Sequence, residues 1–172
     1  NISKSSLQSI EDALQVLKDQ NIAETEVIFV GGTVMEVLGL RKAADIDLIV
    51  TPDKREQLEL AYRGQRRGSF EAIDLDSDIQ ILKNPYRFIS FSDNDCFEED
   101  LFFIAQASED QRVNIILPEL EFGKKLFRDR DKDRDDIILL QRYATQAEAW
   151  RWDLLPVAPV SLIERSFLNK YG

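Results

Sequence analysis

The sequence predicts an α/β chain of the α+β kind, a small mixed sheet flanked by helices. Three observations predict it. Val27-Ile-Phe-Val30 and the run beginning Asp45-Ile46-Asp47 are short, apolar and β-branched or aromatic, so they read as buried strands. Residues 5–20 carry Leu7, Ile10, Leu14 and Leu17 at helical spacing, and Pro118-Glu119 opens a second helical region. The 172 residues, 44% hydrophobic and 31% charged, fit one globular domain spanning residues 1–172, with C-terminal helices from about 118.

The elements follow in order. Ser5 and Gln8 fit a capping box for the first helix, and Asn21 suits its C-terminal cap. Gly31-Gly32 breaks the strand that starts at Val27. Thr33 to Leu38 reads as a short helix, with Gly39 where a left-handed cap belongs. Arg41 to Ala44 is a polar loop leading into the second strand. Thr51-Pro52 predicts a helix start, with the helix running to Arg67 and Arg63, Arg66 and Arg67 clustered at its end. Residues 70–76 predict a third strand, and residues 87–91 another. Residues 93–100 carry five acids and read as a solvated loop. Residues 101–105 and 113–117 predict a hairpin. The helical region from Pro118 is expected to turn core-facing at Ile137, and Val160 to Tyr171 reads as a final helix. Trp150 and Trp152 read as packing residues.

The chemistry concentrates at the first two strands. Alternation on a strand puts Asp45 and Asp47 on one face. Two neighbouring carboxylates repel unless a cation sits between them, one is protonated, or both face water. Magnesium is typically held by one or two carboxylates together with substrate phosphates. A glycine turn at the head of a helix offers backbone amides to phosphate. Metal-binding acids and a phosphate-binding turn together suggest phosphoryl-group chemistry.

Gly31-Gly32-Thr33 followed by Asp45-Ile46-Asp47 resembles the core motif of the DNA polymerase β-like nucleotidyltransferase superfamily. The resemblance implies a nucleotidyltransferase-like fold. It also implies that Gly31, Gly32 and Thr33 hold a nucleoside triphosphate, and that Asp45 and Asp47 bind Mg2+. Ala44 stands where many members have Ser or Thr. Active members often carry a third acid on a neighbouring strand; Asp74 is the first candidate, with Asp76, Asp78 and Asp100 as others. A second stretch, Pro118-Glu119, Lys125-Leu126 and Arg130, Lys132, Asp133, Asp136 and Ile137, resembles the helical region of nucleotidyltransferase-like proteins of the abortive-infection toxin type. This implies that Lys125 approaches the nucleotide phosphates, with Lys132-Asp133-x-x-Asp136 facing or bracing the same cleft.

The expected activity is magnesium-dependent transfer of a nucleoside monophosphate from a nucleoside triphosphate to a hydroxyl of a protein, a small molecule or an RNA end. The alternative is a non-catalytic domain of the same fold that binds a nucleotide or a protein partner. The resemblance also suggests a toxin–antitoxin setting. The absence of His and the single Cys96 exclude His- and thiolate-based zinc sites and His-activated nucleophiles, leaving hard oxygen-liganded ions. The net charge of −10 argues against a surface that grips nucleic acid throughout. A local basic entry from Arg63, Arg66, Arg67, Lys124 and Lys125 would be needed for an RNA acceptor. No apolar run approaches the ~20 residues that span a bilayer, and no leader pattern is visible, so the cytoplasm is the expected compartment. Asp129 to Asp135 looks like a calcium loop but has Arg134 where that loop needs Gly, and Leu140 where it needs Glu.

Overall fold

In the computed structural model, residues 4–62, 66–67, 72–76, 78–83, 90–91, 94–95, 106–107, 114–147 and 150 are described, by their backbone alone at 4–7, 66–67, 76, 90–91, 94–95 and 106–107. The chain forms two compact units, residues 1–84 with 98–116, and residues 85–97 with 117–172.

The first unit is built on a mixed sheet. Its strands are β1 (Val27–Val30), β2 (Ile46–Val50), β3 (Arg66–Arg67), β4 (Ala72–Asp76), β5 (Ile79–Ile81), β8 (Gln106–Ala107) and β9 (Asn114–Ile115). The order across the sheet is β3-β4-β5-β2-β1-β9-β8. β1 and β2 are antiparallel, with Val30 opposite Asp47 and Phe29 opposite Leu48. β2 and β5 run parallel, as do β1 and β9. The register aligns Ile73, Ile81, Leu48, Phe29 and Ile115 in one row across five strands. All five are buried, which explains why β1 and β2 are apolar almost throughout: central strands covered on both faces lose the alternation of a half-exposed strand.

Among the described residues, three α-helices belong to this unit: α1 (Lys4–Asp19), α2 (Gly32–Val37) and α3 (Pro52–Ala61). Ile10 and Leu17 of the expected stripe on α1 are fully buried, whereas Leu14 is half-buried and Ala13 takes the buried place beside it; the Leu7 side chain lies outside the described residues. The helix begins at Lys4, ahead of Ser5, and Gln8 donates to Asp12 at 2.8 Å within the helix. Its C-terminus closes as expected at Asn21, whose φ is 63°. The Ile22 amide reaches the Leu17 carbonyl and the Asn21 amide the Lys18 carbonyl, the two bonds of a Schellman cap. Gly39, at φ 75°, closes α2 in the same way, with Leu40 bonded back to Met35.

Two boundaries differ from expectation. α3 ends at Ala61, and Arg66 and Arg67 lie in β3, antiparallel to β4, rather than at a helix C-terminus. The arginines gain strand pairing with Ala72 and Ile73 there, and tertiary pairing overrides a weak helical preference. β5 is a further strand, Ile79-Gln80-Ile81, inserted between β4 and β2. The predicted strand at 70–76 is β4, and of the expected hairpin the strand at 113–117 is seen as β9, paired antiparallel with β8 at 106–107. Residues 101–105 lie outside the described residues.

In the second unit, β6 (Ser90–Phe91) and β7 (Asn94–Asp95) pair as a small hairpin, so part of the acid-rich 93–100 stretch is strand rather than loop. α4 (Pro118–Arg128) and α5 (Asp131–Gln146) pack on each other. Asp129, in the left-handed conformation at φ 52°, makes the tight link between them. Asp133 is the third residue of α5 and accepts the Arg130 amide at 3.3 Å, the return bond of a capping box. Trp150 stands edge-on to Phe122 at 5.8 Å and to Tyr143 at 6.3 Å, confirming its packing role. Trp152 and the expected helix at 160–171 lie outside the described residues. Among the described residues no helix is long and apolar enough to cross a membrane.

Candidate functional site

The β1-turn-α2-loop-β2 segment brings the glycine turn to Asp47. Gly31 has φ 63° and ψ −140°, a backbone conformation open to glycine and closed to side chains bearing a Cβ. The space is also filled: a Cβ added at Gly31 would lie 2.8 Å from Asp47 Oδ2. The carboxylate of Asp47 therefore rests on the bare α-carbon of Gly31. The Asp47 amide donates to Thr33 Oγ1 at 3.1 Å. Thr33 is fully buried, so its side chain acts here as an anchor for the start of β2.

Asp45 lies just ahead of β2 and is exposed. It borders a cleft of about 270 Å³ between α1, α2 and the starts of β2 and β5. Asp12, Glu36 and Asp78 border the same cleft, with Ile46 and Ile79 beneath. The Ile46 amide bonds to the Asp78 carbonyl at 2.7 Å, so Asp78 is the residue across from Asp45 on the neighbouring strand.

Asp74 does not stand beside this pair. It lies on β4, and β5 separates β4 from β2. The register sets Asp47 opposite Gln80 and Gln80 opposite Asp74. Two strand spacings make the Asp47-to-Asp74 backbone distance about 10 Å. The residue next to Asp47 is thus an amide, not an acid. Gln80 went unnoticed in the sequence, although Ile79-Gln80-Ile81 alternates as a half-buried strand should. Among the described residues no three Asp, Glu, Cys or His side chains gather closely enough to hold a metal by themselves. Asp76 has its backbone in β4, while its side chain, and all of Asp100, lie outside the described residues.

Lys125 belongs to the second unit and is buried. Its Nζ lies 2.8 Å from Asp136 Oδ2 and 3.9 Å from Asp133 Oδ1. Asp133 also accepts from Arg128 at 3.2 Å and from Arg130 at 2.9 Å. Burial pushes the Asp133 carboxyl up, but the Arg130 hydrogen bond and the charges of Arg128, Arg130 and Lys125 outweigh it and hold it below the usual carboxylate range. Asp133 and Asp136 of the Lys-Asp-x-x-Asp stretch, with Lys125, thereby brace α4 against α5, while Lys132 is exposed. Beside them, Lys124 Nζ and Glu121 Oε1 are 2.7 Å apart and both side chains are buried. Burial pushes the Lys124 ammonium down to about 8, against the opposing pull of Glu121. Burial also opposes ionisation of Glu121, yet Lys124, Lys125 and Arg128 hold it below its ordinary value.

No family model matches the chain, and no curated protein is significantly similar to it.

Proposed function

We propose that the sheet unit binds a nucleoside triphosphate with magnesium and transfers the nucleoside monophosphate to a hydroxyl of a protein, a small molecule or an RNA end, the α–β anhydride bond breaking as the new phosphoester forms and pyrophosphate leaving. One observation carries this reading: Asp47 Oδ2 is packed on Gly31, so the acid and the glycine turn form one constellation. Asp45 and Asp47 are the oxygen donors for the cation. Two carboxylates suffice for magnesium, which completes its shell from phosphates and water. When bound, magnesium supplies neutralisation of phosphate charge. The chain's own residues have separate tasks. The backbone amides of the Gly31-Gly32-Thr33 turn offer donors to phosphate oxygens. The Thr33 hydroxyl holds the Asp47 backbone in place. We assign Lys125 to bracing its helix pair, because Asp136 meets its charge.

Labelled triphosphates incubated with magnesium and candidate acceptors test the reading. The parent should transfer label, and an Asp45→Asn, Asp47→Asn double variant should not. Equal transfer by both would refute it.

A second reading, a domain of the same fold that binds a nucleotide without transferring it, is favoured by Gln80. General-base chemistry needs a proton acceptor within hydrogen-bond reach of the acceptor hydroxyl, and in a chain without His a carboxylate is the ordinary choice. The position beside Asp47 holds an amide that cannot take a proton. Saturable triphosphate binding without label transfer to any acceptor would decide for this reading.

A further inference from the structure

Arg41 is exposed in the loop between α2 and β2, and its guanidinium covers Gly32. A Cβ placed on Gly32 would stand 3.4 Å from one terminal nitrogen of Arg41 and 3.5 Å from the other. Both ends of the guanidinium fork thus approach the glycine turn, and not just one. Nη1 also donates to the Lys42 carbonyl at 2.8 Å, which ties the fork to its own loop. Lys42 is exposed as well. This cation lies over a turn that Asp47 approaches from β2, in a chain of net charge −10. The nearby cleft is bordered by Glu36, Asp45 and Asp78.

We propose that Arg41 is a phosphate-binding residue of this site and recognises the polyphosphate of the nucleotide. The inference rests on the nucleotide reading and adds to it the residue that supplies positive charge. Asp45 and Asp47 are both anionic and would repel a polyphosphate without a compensating cation from the protein as well as from the metal. Arginine suits the task, because its planar fork gives paired N–H donors that match two phosphate oxygens, and it stays charged at any working pH. Lysine at the same place would supply a point charge without the fork. The loop position also explains the separation of duties: Gly32 has no side chain, so the guanidinium lies against the turn where a ligand would contact backbone amides.

Calorimetric titration of the full chain with inorganic tripolyphosphate, and with ATP in magnesium, tests the assignment. Charge-assisted bonds of this kind correspond to a loss of about tenfold or more when one partner is removed. Arg41→Ala should therefore weaken both ligands about tenfold or more, and Arg41→Lys should fall between Ala and the parent. The salt dependence of tripolyphosphate binding should flatten in Arg41→Ala, since one charge contact is gone. Arg41 is exposed, so thermal melting of the variants should match the parent, which separates lost binding from lost structure. If the parent binds both ligands and Arg41→Ala binds them as tightly, the role of Arg41 is refuted while the nucleotide reading stands. If the parent binds neither, both fall.

Discussion

Replacing Asp136 with Asn tests whether the second unit rests on a buried charge pair. The substitution keeps the shape of the side chain and removes its charge. Lys125, only 3% exposed, is then left with the Asp133 carboxylate at 3.9 Å. Breaking a buried pair from one side costs about 3–5 kcal/mol, because the remaining charge is desolvated and unmatched. Asp133 retains some of the attraction, but it is shared with Arg128 and Arg130, so the loss should lie near the lower end, about 3 kcal/mol. With a urea m-value of about 1.5 kcal/mol/M, the midpoint should fall by about 2 M. Trp150 of this unit contacts Phe122 and Tyr143, so its fluorescence follows the unit's unfolding. The double variant Lys125→Met, Asp136→Leu removes both charges and should be distinctly more stable than Asp136→Asn. A loss below about 1 kcal/mol in Asp136→Asn is the size of an exposed ion pair. That result would mean that Lys125 is solvated and available to a ligand, and it would refute the bracing role.

Three further outcomes are expected. Gly31→Ala should lose about 2–4 kcal/mol by urea denaturation monitored by far-ultraviolet dichroism, from a glycine-only backbone conformation plus the clash with Asp47, and a parent-like midpoint would refute the close packing. The folded-state pKa of Lys124, about 8, lies below its ordinary 10.5, so below pH 8 both states hold the proton and the burial penalty is fully present; between 8 and 10.5 the unfolded state binds more protons, and stability rises with pH. Relative to a Glu121→Leu, Lys124→Met double variant, the parent should therefore gain stability from pH 8 to 10, and a flat difference would contradict the buried ammonium. If the chain acts as a toxin, strong expression of the parent should arrest bacterial growth and Asp47→Ala should lift the arrest; normal growth with soluble parent protein removes the toxin reading.

Strong local signals were legible in the sequence. Apolar β-branched residues marked β1 and β2, glycine marked the left-handed end of α2, and the leucine stripe marked α1. What escaped depended on partners distant in sequence. Ile79-Gln80-Ile81 is too short to announce itself, and becomes a strand because β2 and β4 flank it. The same pairing sets Gln80 between Asp47 and Asp74, which no count of acids along the chain reveals. Arg66 and Arg67 looked like a helix end until β4 offered a ladder. Lys125 illustrates the limit from the other side. Its motif was visible, but the short bond to Asp136 depends on how two helices meet across the turn at Asp129.

The return of residues 98–116 to the first unit, after a segment that belongs to the second, has a consequence for synthesis. β1 and β2 are near in sequence and can pair as soon as both have left the ribosome, whereas β1 cannot gain its other neighbour until Ile115 arrives to pair with Phe29. Until then Val27–Val30 presents an open edge of four apolar residues, with nothing charged or kinked to discourage another chain from pairing there. A nascent chain stalled before residue 114 should therefore be held by chaperones or aggregate, and a fragment ending at residue 97 should be less soluble than one ending after β9. In this architecture a strand of two residues, β9, serves as the latch that makes the sheet safe to release.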